Sequence, residues 1–162
     1  MEIQPISIQD IENIQTIASQ IWNKYYIKIL SQEQIDYMLN LMYNSNQIKF
    51  EIENDFFWFK FLFNNNIIGF TSFSILNNNK YKLHKLYIDT NYHNKGFGSK
   101  AINFIIDFLK NKNATYLTLN VNKYNTQAIN FYKKNGFQII DSVVVDIGNN
   151  FVMDDYIMGR PI

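Results

Sequence analysis

Two short runs hold residues whose types and spacing could do chemistry. The first is His93-Asn94-Lys95-Gly96-Phe97-Gly98-Ser99-Lys100, which follows the strand pattern Leu83-His84-Lys85-Leu86-Tyr87-Ile88. A glycine pair opening a helix leaves unpartnered backbone N–H groups at the positive end of the helix dipole, an arrangement suited to a pyrophosphate. The second runs from Asn125 to Tyr132 and continues into Asn135-Gly136-Phe137. Seven residues are nearly two helical turns, so Asn125, Ala128, Ile129 and Tyr132 share a face that can reach the reacting end of the same ligand. Separately, Asn125 also reads as an N-cap and Tyr132 as an amphipathic core tyrosine.

Gly96-Phe97-Gly98-Ser99-Lys100-Ala101 satisfies the loose dinucleotide fingerprint G-x-G-x-x-G/A. That fingerprint needs the turn directly after its strand and an acidic residue about twenty positions on. Here residues 89–95 separate Ile88 from Gly96, and the next strand ends at Asn120 and Val121. A P-loop is excluded because Lys100 follows Ser99 and the upstream glycine is missing.

The elements that must position these runs are legible as hydrophobic periods. Ile3 to Ile6 reads as a strand, and Asp10 to Trp22 as a helix with Ile11, Ile14, Ile17, Ala18 and Ile21 on one stripe. Ser31 caps a second helix, with Gln34 placed for a capping box, and Gln47 to Glu53 extends the helical region. Phe56–Phe63, Ile67–Leu76 and Tyr81–Ile88 form an antiparallel meander joined by the asparagine turns Asn64-Asn65-Asn66 and Asn77-Asn78-Asn79. A helix from Gly98 to Lys110, a strand from Tyr116 to Val121, a helix from Thr126 to Lys134 and strands over 137–146 and 151–158 complete the order βααβββαβαββ. The strand–helix–strand steps after Tyr81 predict parallel neighbours, so the fold class is α/β with a mixed sheet of about seven strands.

With 162 residues, 47% hydrophobic and 17% aromatic, residues 1–162 are expected to form a single domain with a substantial core. The net charge of +1 is spread without a basic stripe, which argues against a nucleic-acid partner. Without Cys there is no disulfide, thiolate metal site or cysteine nucleophile, and no metal is expected. Residues 1–5 lack a basic and apolar leader and no run reaches membrane-span length, so no membrane partner and a cytoplasmic location are expected. The long aromatic strands allow a homodimer.

Leu86-Tyr87-Ile88 followed by His93-Asn94-Lys95-Gly96-Phe97-Gly98, with Asn125, Ala128, Tyr132 and Gly136-Phe137, resembles the GCN5-related N-acetyltransferase (GNAT) superfamily. The family usually has Gln or Arg where this chain has His93. Asp146-Ile147-Gly148 and the run 151–156 are similar to bacterial small-amine and polyamine acetyltransferases. The resemblance implies acetyl-CoA as cofactor, its pantetheine arm along the backbone of Leu86, Tyr87 and Ile88, and its pyrophosphate on Asn94, Lys95, Gly96, Phe97, Gly98 and Ser99. Asn125 and Lys134 join this cofactor set, and Tyr132 becomes the acid that protonates the departing thiolate.

The reaction so implied is acetyl transfer to a primary amine of a small molecule, directly within a ternary complex. An alkylammonium with a pKa near 10.4 is neutral in well under one molecule per thousand at pH 7, so a base or water chain must remove its proton. His84 is the first candidate on the strand, with Asp89, Asp154 and Asp155 more distant. The oxyanion would rest on a backbone N–H near Tyr87 or Ile88. Trp22, Tyr26, Asp154 and Asp155 are the substrate-side candidates, offering aromatic faces and negative charge to a cationic amine. Acetylation of protein α-amino or lysine groups and non-catalytic acyl-CoA sensing are the competing readings.

Overall fold

The computed structural model describes all 162 residues. Its elements are β1 (Glu2–Pro5), α1 (Ile11–Tyr25), α2 (Gln32–Tyr43), α3 (Ser45–Glu53), β2 (Phe56–Phe63), β3 (Asn66–Asn77), β4 (Lys80–Ile88), α4 (Phe97–Lys110), β5 (Tyr116–Asn122), α5 (Thr126–Lys134), β6 (Gln138–Gly148) and β7 (Phe151–Pro161). One seven-stranded sheet runs in the order β1-β2-β3-β4-β5-β7-β6. The helical region expected to extend over 47–53 is present as a separate helix, because the chain breaks at Asn44, which is extended and caps α3 by accepting from the Gln47 amide at 2.9 Å. Ser31 caps α2 through the Gln34 amide at 3.2 Å.

The expectation of parallel neighbours at both later crossovers holds only for β4 and β5, which pair over Lys80–Leu83 and Tyr116–Leu119. β5 and β6 are not neighbours, because β7 lies between them and pairs antiparallel with each. A hairpin needs only a two-residue turn to bring β7 back beside β6, so the last strand enters the sheet next to β5.

Asparagine makes the tight turns. Asn64-Asn65, Asn78-Asn79 and Asn149-Asn150 each hold two successive positive φ angles, between 39° and 62°. That is the backbone of a type I′ hairpin, and asparagine enters the left-handed region at less cost than other side chains because its amide bonds locally.

Contacts group the chain into two compact units, Met1–Ser74 with Lys85–Gly98, and Ile75–His84 with Ser99–Ile162. In the first, the α1 stripe of Ile14, Ile17, Ala18, Ile21 and Trp22 is buried, as are Ile35, Ile48, Phe61, Phe70 and Phe73. Each of these isoleucine and phenylalanine side chains contributes about 1.5–3 kcal/mol by leaving water. In the second, Ala101, Ile102, Ile105 and Leu109 of α4 are buried, with Leu117, Leu119 and Val121 on alternate positions of β5. Alternation on β5 leaves Thr118, Asn120 and Asn122 on its other face.

Candidate active site

In the first unit, the segment after β4 is a backbone cradle built by short-range bonds. Asp89 donates its amide to the Ile68 carbonyl at 2.8 Å and caps the next turn by accepting from the Asn91 amide at 2.9 Å. His93 Nε2 donates to the Ile88 carbonyl at 2.8 Å, tying the turn back to the strand end. The residue that departs from the family pattern therefore holds the shape of the turn. Asn94 and Gly96 then take positive φ angles of 59° and 77°, and α4 begins at Phe97.

The amides of Asn94, Lys95 and Gly96 make no hydrogen bond within the chain, and these three residues are exposed. No atom lies within 4 Å of where a β-carbon on Gly96 would be. Successive free amides running into a helix N-terminus form a concave anion site, which fits a pyrophosphate. Phe97 packs its ring 5.1 Å from Phe63, so only its backbone can serve such a ligand. Lys95 Nζ lies 5.0 Å from the Tyr92 ring centre.

Within the same unit, Trp22 is 2% exposed and stacks on Tyr26 at 4.5 Å. Tyr87 sits among Trp22, Tyr26, Tyr43 and Phe70, at ring separations from 5.5 to 6.5 Å. Burial pushes the Tyr43 phenol far above its ordinary value, so it stays protonated. Tyr26 and Tyr87 are half-buried, and Trp22 supports them from behind.

In the second unit, Asn125 is the N-cap of α5. It is buried, and its side chain accepts from the Ala128 amide at 3.1 Å. The helix ends where Gly136, at φ 83°, lets the Phe137 amide return to the Tyr132 carbonyl at 3.1 Å. Tyr132 is half-buried, with its ring edge-on to Phe131 at 5.2 Å and Phe137 at 5.5 Å. His84 and Lys134 are exposed.

Asp154 pairs with Lys123 at 2.5 Å, whereas Asp155 is 2% exposed. The one hydrogen bond to the Asp155 side chain comes from Asn120 Nδ2 at 3.5 Å, the outer limit of such a bond. Burial raises the Asp155 pKa, and the Asn120 amide and the Lys82 charge offset only part of that. The two neighbouring acids therefore differ in kind.

Residues 15–137 match the model of the Acetyltransferase (GNAT) family. The chain belongs to the GNAT acetyltransferase family. As a member it is an acetyl-CoA-dependent N-acetyltransferase. It is similar to a spermidine N(1)-acetyltransferase of Thermoplasma acidophilum, with 28% identity over 95% of this chain and 96% of that protein. The solved structure of the PaiA N-acetyltransferase from Thermoplasma acidophilum, in complex with coenzyme A, superposes with a TM-score of 0.87 at 27% identity, over 99% of this chain and 98% of that one. The ribosomal-protein-S18-alanine N-acetyltransferase of Escherichia coli shares the fold, with a TM-score of 0.76 at 17% identity over 99% and 93% of the two chains.

Two features of the acetyltransferase escaped the sequence reading. Lys85, beside the candidate His84, is buried and paired with Glu51 at 2.9 Å. Gly69 lies against the backbone of Tyr87 and Ile88. A glycine inside the apolar run Ile67-Ile68-Gly69-Phe70 was the available signal, since strand glycines mark close backbone approach.

Proposed function

We propose that this acetyltransferase modifies a primary amine of a small cationic molecule, a polyamine or a related alkylamine. The observation that carries this reading is the similarity to a spermidine acetyltransferase along 95% of the chain. Asp155 supports it, because the Lys82 charge and one long amide contact only partly offset the burial of this carboxylate, and an alkylammonium would add a counter-charge.

In this reading the amides of Asn94–Ser99 hold the pyrophosphate of acetyl-CoA, with Lys95 and Lys134 adding charge, and Leu86–Ile88 pair with the pantetheine arm. Asn125 shapes the start of α5. In the first unit the aromatic faces of Tyr26 and Tyr87, backed by Trp22, suit the aliphatic body of an amine, and in the second Asp155, with Asp154 beside it, suits its charge. His84 or a water chain removes the ammonium proton. The freed amine attacks the thioester carbonyl carbon, the carbon–sulfur bond breaks as the Tyr132 hydroxyl gives its proton to the sulfur, and the acylated nitrogen releases its second proton to solvent. The products are the N-acetyl amine and coenzyme A thiol, and Tyr132 is reprotonated from solvent.

The test is a panel of spermidine, spermine, simple alkylamines and peptides with free N-termini, followed by thiol release. Saturable release with polyamines and little with the peptides is expected. Release with peptides alone would replace the small-amine reading with protein acetylation. Acetyl-CoA should also raise Tm where NAD does not, because only a ligand of the native state stabilises it.

A further inference from the structure

Gly69 sits in β3, where the neighbouring β4 strand carries Tyr87 and Ile88. A β-carbon built on Gly69 would collide with the Tyr87 carbonyl oxygen and lie 3.0 Å from Ile88 Cα and 3.1 Å from the Tyr87 carbonyl carbon. All three are backbone atoms, which cannot swing aside as a side-chain tip can. Around this contact the strand is fixed: the Thr71 hydroxyl donates to the Lys85 carbonyl at 2.7 Å, and the Asp89 amide donates to the Ile68 carbonyl at 2.8 Å. Any side chain at position 69 must therefore displace the Tyr87–Ile88 peptide itself.

A trans peptide is planar, with its C=O and N–H pointing in opposite directions. Since the Tyr87 carbonyl points into the space that Gly69 leaves empty, the Ile88 N–H points away from it. We infer that Gly69 is a positioning residue: its missing β-carbon lets the Tyr87–Ile88 peptide turn, so that the Ile88 N–H is free to bind the thioester carbonyl of the acyl donor. The inference rests on the acetyl-CoA reading of this strand and adds the residue that sets its geometry. Gly159, another strand glycine with no room for a side chain, differs in kind. Its β-carbon would meet the Tyr116 ring at 2.6 Å, a contact that a side-chain movement can relieve.

The experiment compares binding of acetyl-CoA and coenzyme A to wild type, Gly69→Ala and Gly159→Ala by calorimetry, with Tm measured for each. Coenzyme A has the pyrophosphate and pantetheine but no thioester carbonyl. Gly69→Ala should weaken acetyl-CoA by at least about fivefold relative to coenzyme A, the scale of one lost hydrogen bond. Gly159→Ala should lower Tm and leave the ratio of the two affinities at the wild-type value. An unchanged ratio in a folded Gly69→Ala protein overturns the inference, as does the same change of ratio in both variants. A second measurement needs no variant: acetyl-CoA should shift the Ile88 amide resonance of the wild type further than coenzyme A does, and an amide that responds equally to both overturns the proposal. Wild type that binds neither compound overturns the acetyl-CoA reading, and this inference with it.

Discussion

Lys85 Nζ donates to both carboxylate oxygens of Glu51, at 2.9 and 3.0 Å, inside the first unit. The Trp58 indole N–H donates to the same carboxylate at 3.1 Å, and the ammonium lies 4.9 Å from the Trp58 ring centre. Burial pulls the Lys85 pKa below its ordinary value, and the attraction of Glu51 restores part of it. The pair fixes β4 to α3 just before Leu86, so it holds the strand proposed to carry the pantetheine arm.

Removing one member strands the other. Glu51→Ala should cost about 3–5 kcal/mol of stability, because an uncompensated buried ammonium remains. The double variant Glu51→Leu with Lys85→Met should recover much of that loss. Urea unfolding of the single and double variants checks this, and additive losses would count against the pair acting as a unit.

Tyr132→Phe should lower kcat about 100-fold or more and leave the Kd of coenzyme A within about twofold, since the role proposed for the hydroxyl is to protonate the leaving group. The ring contacts with Phe131 and Phe137 survive this change. Equal turnover of the two proteins would remove Tyr132 as the acid.

Asp155 makes a pH-dependent prediction. Its pKa is raised in the folded protein, so the native state binds more protons than the unfolded chain between the ordinary carboxylate value and the raised one. Stability therefore falls as pH rises through that window, and the cost of the ionised form is fully present above it. Asp155→Asn should be more stable than wild type at pH 7, by about 1 kcal/mol, or about 2–4 °C in Tm. The gain should disappear below about pH 4, where the carboxyl is protonated in both states. The same variant should raise KM for a polyamine. A higher Tm with an unchanged KM would leave Asp155 a structural group.

Gly96→Ala tests the turn. At φ 77° a side chain costs on the order of 1 kcal/mol, and the open space around position 96 means no clash adds to it. The strain should relax by reorienting the amides of Asn94–Gly96, weakening coenzyme A about tenfold with only a small change in Tm. Tight binding retained in this variant would move the pyrophosphate elsewhere.

The sequence by itself determined the elements with strong periods and the turns with special residues. The α1 stripe, the alternation in β5, the asparagine hairpins, the Gly96 turn and the Asn125-to-Gly136 helix are local, because apolar spacing and left-handed backbone preferences act within a few residues. The tertiary structure decided what depends on distant neighbours. β7 enters the sheet between β5 and β6, Lys85 meets Glu51 from 34 residues away, and Asp155 but not Asp154 is buried. His93 reaches back to Ile88, and Gly69 makes room for the Tyr87 carbonyl. Burial and backbone approach are properties of the packed chain, so residue type alone could mark Gly69 and Asp155 as unusual without saying what stands against them.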